Sequence, residues 1–111
     1  MKTNKVNRKV RSDRNHVIYM MTCVKTGQEY IGVTVVRKGN VDKSIQIRMT
    51  QHLHRAWIEE SDRVFATALR KHSAWTVDTM MVVRGRAEAF AMESAIINSY
   101  KPTLNMTKKN K

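Results

Sequence analysis

Hydrophobic positions fall into short blocks whose spacing changes along the chain. His16 to Val24 is mostly apolar or β-branched, and Glu29 to Val36 repeats that character, so both read as strands. Lys25-Thr26-Gly27-Gln28 between them has turn composition, with Gly27 free to take a positive φ. Arg37-Lys38-Gly39-Asn40 is a basic loop. Ser44 then reads as the N-cap of a helix running to about Glu59, with Ile45, Met49, Leu53, Ala56 and Trp57 at helical spacing. Asp62 to Lys71 is a second helix whose buried stripe is Val64, Phe65, Ala68 and Leu69. Trp75 to Val83 reads as a third strand, and Met80-Met81-Val82-Val83 is apolar enough for a central, two-sided position. Gly85 breaks it. Arg86 to Tyr100 follows as a third helix with Phe90, Ile96 and Ile97 inward, and Pro102 forces an extended tail from Lys101 through Asn105. The order β-β-α-α-β-α predicts a small α/β (α+β) fold, with helices flanking a three-stranded antiparallel sheet.

At 111 residues the chain is one domain's worth, and 41% hydrophobic content supports a globular fold. Residues 1 to 14 stand apart. Lys2, Lys5, Arg8, Lys9, Arg11 and Arg14 are opposed there only by Asp13, and they read as a flexible basic arm before a domain at 15 to 111. Over the whole chain, 21 Lys and Arg against nine Asp and Glu give a net charge of +12. Such an excess attracts polyanions, nucleic acid first among them. If all six arm cations engaged DNA, they would add about −5 to the slope of log affinity against log salt. Cys23 is the only cysteine, so no intramolecular disulfide and no cysteine-rich zinc site can form, which suits a reducing cytoplasm. No apolar run approaches the roughly 20 residues of a membrane span. None precedes Val17 as a secretory signal would require.

The residues that carry chemistry begin with the helix from Ser44. Arg48, His52 and Arg55 fall at i, i+4 and i+7 and share one face, offset from the apolar stripe. A guanidinium binds phosphate oxygens bidentately, and an imidazole one turn away accepts or relays a proton near neutral pH. On an isolated helix the same spacing reads as a solvated basic face. Glu93 lies three residues after Phe90 and four before Ile97, so it borders a buried stripe and needs a partner. A divalent metal is one candidate, and a salt bridge to one of the many cations is the other. Glu88 reads as solvent-facing. Asn105, after Pro102, has an amide that would bond backbone or phosphate if the tail is pinned against the domain. Finally, Val17-Ile18-Tyr19 and Tyr30-Ile31-Gly32 place one tyrosine on each hairpin strand, where two phenols can lie side by side on one face.

These two triplets resemble the paired signature of the GIY-YIG nucleases, with Val17 in place of the first glycine. The match extends in order along residues 16 to 105. Tyr19 and Tyr30 look like the family's two tyrosines, Arg48 its helix-borne arginine and His52 the histidine one turn later. Glu93 looks like its metal-binding glutamate, and Asn105 like its C-terminal asparagine in a Lys-Pro-x-Leu-Asn-like tail. The gap from Gly32 to Arg48 is longer than in the shortest members, so Arg37 is a rival for the arginine role. Arg48 is preferred, because Arg37 precedes a glycine loop, lacks a helix and has no histidine at i+4.

The resemblance implies a metal-dependent DNA endonuclease that hydrolyses phosphodiester bonds. One Mg2+ or Mn2+ per site would sit on Glu93, and Arg48 would clamp a nonbridging oxygen. Tyr19 would be the base with His52 assisting, Tyr30 would orient water or phosphate, and these roles could be exchanged. Gly32 would let the backbone approach DNA closely, while Arg37, Lys38, Arg55 and the arm would hold the duplex. A compact stand-alone chain looks most like a phage or mobile-element, homing-type endonuclease; restriction and repair nucleases share the core. One site nicks one strand, so a double-strand break needs a homodimer on DNA or sequential nicks. The rivals are a non-catalytic basic nucleic-acid-binding module and an adaptor that merely keeps the fold.

Overall fold

The computed structural model describes residues 14–58 and 63–105, so Lys2, Lys5, Arg8, Lys9 and Arg11 of the arm lie outside the described residues. The elements follow the expected order: β1 (Asn15–Cys23), β2 (Glu29–Val35), α1 (Val41–Trp57), α2 (Val64–Lys71), β3 (Trp75–Arg84) and α3 (Arg86–Tyr100). The fold is α+β, with one antiparallel sheet in the strand order β2-β1-β3. Gly27, at φ 78°, turns β1 into β2. The hairpin register then sets Tyr19 opposite Gly32 and Met21 opposite Tyr30.

β1, not β3, is the central strand. Val17, Ile18, Tyr19 and Cys23 have no exposed area, whereas β3 lies at an edge with Val77, Met81 and Val82 at 36%, 38% and 47% exposure. The apolar run of β3 is interrupted upstream by Thr76, Asp78 and Thr79, which solvent at an edge accommodates and a two-sided core does not. Side chains on β1 alternate between faces. Val17, Tyr19 and Met21 enter the core with Ile45, Ala56, Phe65, Ala68, Leu69 and Leu104. His16 points to the opposite face, where its ring meets Phe90 of α3 edge-on.

Four local expectations are corrected, the last of them in the tail. First, α1 starts earlier, because Asn40 rather than Ser44 is its N-cap; the Asn40 side chain accepts from the Lys43 amide at 2.9 Å. Ser44, inside the helix, donates to the Asn40 carbonyl and accepts from the Arg37 amide, both at 2.7 Å, which ties the basic loop to the helix. Second, α1 buries Ile45, His52 and Ala56, while Leu53 and Trp57 are 46% and 56% exposed. The helix is rotated so that the histidine, not the leucine, faces the tyrosines. Third, Phe90 is 44% exposed and Ala89 is the buried residue of α3. The tail is not extended. Lys101 closes α3 in the left-handed region, and Thr103–Asn105 form a 3-10 turn that buries Leu104. Among the described residues no helix is long and apolar enough to cross a membrane.

Candidate active site

The site is built where β1, β2 and α1 meet. Tyr19 is fully buried, and its hydroxyl lies 2.9 Å from Nε2 of His52. Burial, then repulsion from Tyr30, push the Tyr19 phenol well above its ordinary value of 10, although the Arg48 guanidinium opposes this. Tyr19 therefore keeps its proton and donates it. His52 must then accept at Nε2 and carry its own hydrogen on Nδ1. Its environment agrees: burial, followed by the charges of Arg48 and Arg55, pulls His52 from 6.5 down to about 3, so it is neutral.

Tyr30 stands beside this pair. Its ring stacks on Phe65 at 3.8 Å and 4°, and the His52 ring meets both edge-on at 5.5 Å and 4.9 Å. Gly32 has a different role from the one expected. Instead of admitting DNA to the backbone, it is buried beneath the phenols. A Cβ there would stand 2.5 Å from the Tyr19 hydroxyl oxygen and 3.0 Å from the Tyr30 ring. The glycine makes room for the Tyr19 side chain of the paired strand.

Asn105 reaches the site from 74 residues away in sequence. Its Oδ1 accepts from the Ile31 amide at 2.7 Å and its Nδ2 donates to the Ile31 carbonyl at 2.8 Å. The amide thus acts as one rung of β ladder on the outer edge of β2, beside Tyr30. Its bonds go to backbone, the first of the two partners expected for it.

A pocket of about 230 Å3 opens over these groups, lined by Tyr30, Arg48, His52, Arg55, Arg63 and Asn105 among others. Tyr19 lies behind it. Arg48 donates from Nη1 to Gln51 Oε1 at 2.8 Å and its guanidinium also bonds toward the Tyr19 phenol, but among the described residues its buried Nε has no hydrogen-bond partner. A buried, unsatisfied guanidinium nitrogen is unfavourable unless an acceptor completes it. Arg37, the rival arginine, lies outside this pocket, as do Lys38 and Arg14. Glu93 is half-buried on α3. Desolvation raises its carboxyl, and the Arg48 charge opposes that rise; Glu93 in turn raises both phenols. Tyr19, Tyr30, Arg48, His52 and Glu93 therefore form one electrostatic cluster.

Arg63 and Phe65 were not singled out from the sequence for this site. Nothing local distinguishes Arg63 from the other cations, because its place in the pocket depends on how α2 packs against α1. Among the described residues no group of three or more His, Cys, Asp and Glu could hold a metal ion. Glu93 alone suits a hard cation of the Mg2+ type, which takes one or two carboxylates and completes its shell with waters and phosphate oxygens. It does not suit an ion that needs a protein cage. No family model, curated protein or solved structure matches the chain.

Proposed function

We propose that this chain is a metal-dependent DNA endonuclease of the GIY-YIG type, hydrolysing phosphodiester bonds. One observation carries the reading: Tyr30, His52 and Arg48, whose buried Nε has no partner among the described residues, line one cationic pocket, with Tyr19 behind it on His52 and a half-buried glutamate in electrostatic reach. Three arginines around a small cavity favour a phosphate over a neutral ligand. Glu93 would hold the divalent ion, which, when bound, acts as a Lewis acid on the phosphate and the leaving oxygen.

The chain's own residues divide the remaining work. Arg48 and Arg55 clamp the phosphate and stabilise the charge that develops on it. Tyr30, which lines the pocket, orients the attacking water. The Tyr19–His52 pair is the proton acceptor: the proton ends on Nε2 of His52, which lines the pocket, and the buried Tyr19 hydroxyl relays it there. In the resting protein this transfer is uphill, because His52 is held neutral. Two of the three causes are the charges of Arg48 and Arg55. A phosphate bound between those arginines offsets both, so substrate itself makes His52 a better base.

Supercoiled plasmid incubated with Mg2+ should be nicked, and chelation should stop the reaction. Glu93→Gln should lower the rate by at least about 100-fold while duplex binding survives. Robust cutting by that variant would remove the metal role. The competing reading, a basic module that binds without cutting, draws on the high phenol and low imidazole values of the resting site. It requires metal-indifferent binding and no cleavage by the wild-type chain.

A further inference from the structure

A second cationic surface lies away from the pocket. Two shallow grooves, of about 190 Å3 and 440 Å3, share Arg14. One runs past Arg86 and Phe90 and the other past Arg37 and Lys38, and among the described residues no carboxylate lines either. These cations come from three separate parts of the chain, and backbone bonds fix them together. The Arg14 carbonyl accepts from the Gly85 amide and from Nδ1 of His16, both at 2.9 Å. The Asn15 carbonyl accepts from the Val36 amide at 2.8 Å. Arg14 is thereby held between the end of β2 and the start of α3.

Two details make this more than a solvated basic face. Lys38 takes φ 53° beside Gly39 at φ 68°, a mirror-image turn in which glycine or asparagine is the easy first residue. A lysine keeps charge there against the backbone preference. The Arg86 guanidinium lies 5.3 Å over the Phe90 ring, so its orientation is set before any ligand arrives.

We propose that Arg14, Arg37, Lys38 and Arg86 form a second phosphate-binding surface that grips duplex DNA on one side of the scissile bond. This rests on the endonuclease reading of the pocket. The spacing sets the reach. Tyr30 lines the pocket and Val36, just past the end of β2, lines the groove, six residues on, or about 20 Å at ~3.3 Å per residue. At ~3.4 Å per nucleotide step that is about six base pairs, roughly half a helical turn from the cut.

The test uses the full chain and synthetic duplexes. The cut is first mapped on a long duplex, and each side is then shortened in turn from about ten base pairs to about three. Shortening one side, and not the other, should lower kcat/KM at least tenfold. Arg37→Gln combined with Lys38→Gln should lose about as much on the long duplex and little further on the short one. The same double variant should reduce the log-log salt slope of binding by about 2, measured in the Glu93→Gln background with thermal unfolding to confirm the fold. An unchanged salt slope, or equal losses on long and short duplexes, would overturn the surface. A wild-type chain that binds duplex but never cuts would refute the endonuclease reading alone, and the salt slope would still judge the surface. Absence of any duplex binding would end both.

Discussion

Removing one oxygen from Tyr19 leaves Nε2 of His52 buried without its donor. Tyr19→Phe should therefore destabilise the fold by about 1–3 kcal/mol, measured by denaturant unfolding. Tyr30→Phe should cost less stability than Tyr19→Phe, because Tyr30 lines the pocket while Tyr19 is enclosed, and Tyr19→Phe should also slow plasmid nicking. Unchanged turnover by Tyr19→Phe would eliminate it from the proton path. His52 gives a pH signature. Its folded value, about 3, lies below its ordinary 6.5. Between those values the unfolded chain binds a proton that the folded one refuses. Stability from this group is thus complete above pH 6.5 and falls by about 1.4 kcal/mol per unit as pH drops toward 3. Acid unfolding of His52→Gln should show a slope shallower by one proton over that window; an equal slope would mean that His52 is not held neutral. Tyr19, Tyr30, Arg48 and His52 were legible in the sequence because strand triplets and an i, i+4 pair are local patterns. The function of Gly32 was not, since the group that needs its missing Cβ arrives from the neighbouring strand.

At the scale of elements, the hairpin, the bounds of α3 and the element order were readable from turn residues and breaks, but the inward face of α3 was not. The rotation of α1 was not. Ile45, His52 and Ala56 face inward because α2 packs on that side, where Arg70 donates to the Ala56 carbonyl at 2.8 Å. That contact joins two helices and leaves no trace in the periodicity of either. Nor did the apolar run of β3 reveal an edge, since strand order follows from pairing partners rather than from hydropathy. Asn105 offers the clearest element-level experiment. Asn105→Ala removes two hydrogen bonds from the Ile31 backbone and frees that stretch of β2. The expected cost is about 1–3 kcal/mol. The Ile31 amide should also exchange faster with solvent deuterium, and protection at wild-type level would show that the tail is held by Leu104 alone.

For the molecule as a whole, if the chain binds DNA as proposed, +12 on 111 residues should make that association depend steeply on salt. Replacing Lys2, Lys5, Arg8, Lys9 and Arg11 by Gln should flatten the log-log salt slope by up to about 4, read by titration of duplex at several salt concentrations. No change would mean that the arm stays off the duplex. The charge excess was plain from composition. Its division into a pocket set, Arg48, Arg55 and Arg63, and a groove set, Arg14, Arg37, Lys38 and Arg86, needed the folded chain. The Asn105 clasp has one more consequence, in time rather than in space. On the ribosome, Ile31 emerges 74 residues before the side chain that secures it, and Glu93 also follows late. Tyr30 and its pocket are completed only once residue 105 has been made, so a nascent chain still short of it holds β2 without its clasp and the pocket without one of its walls.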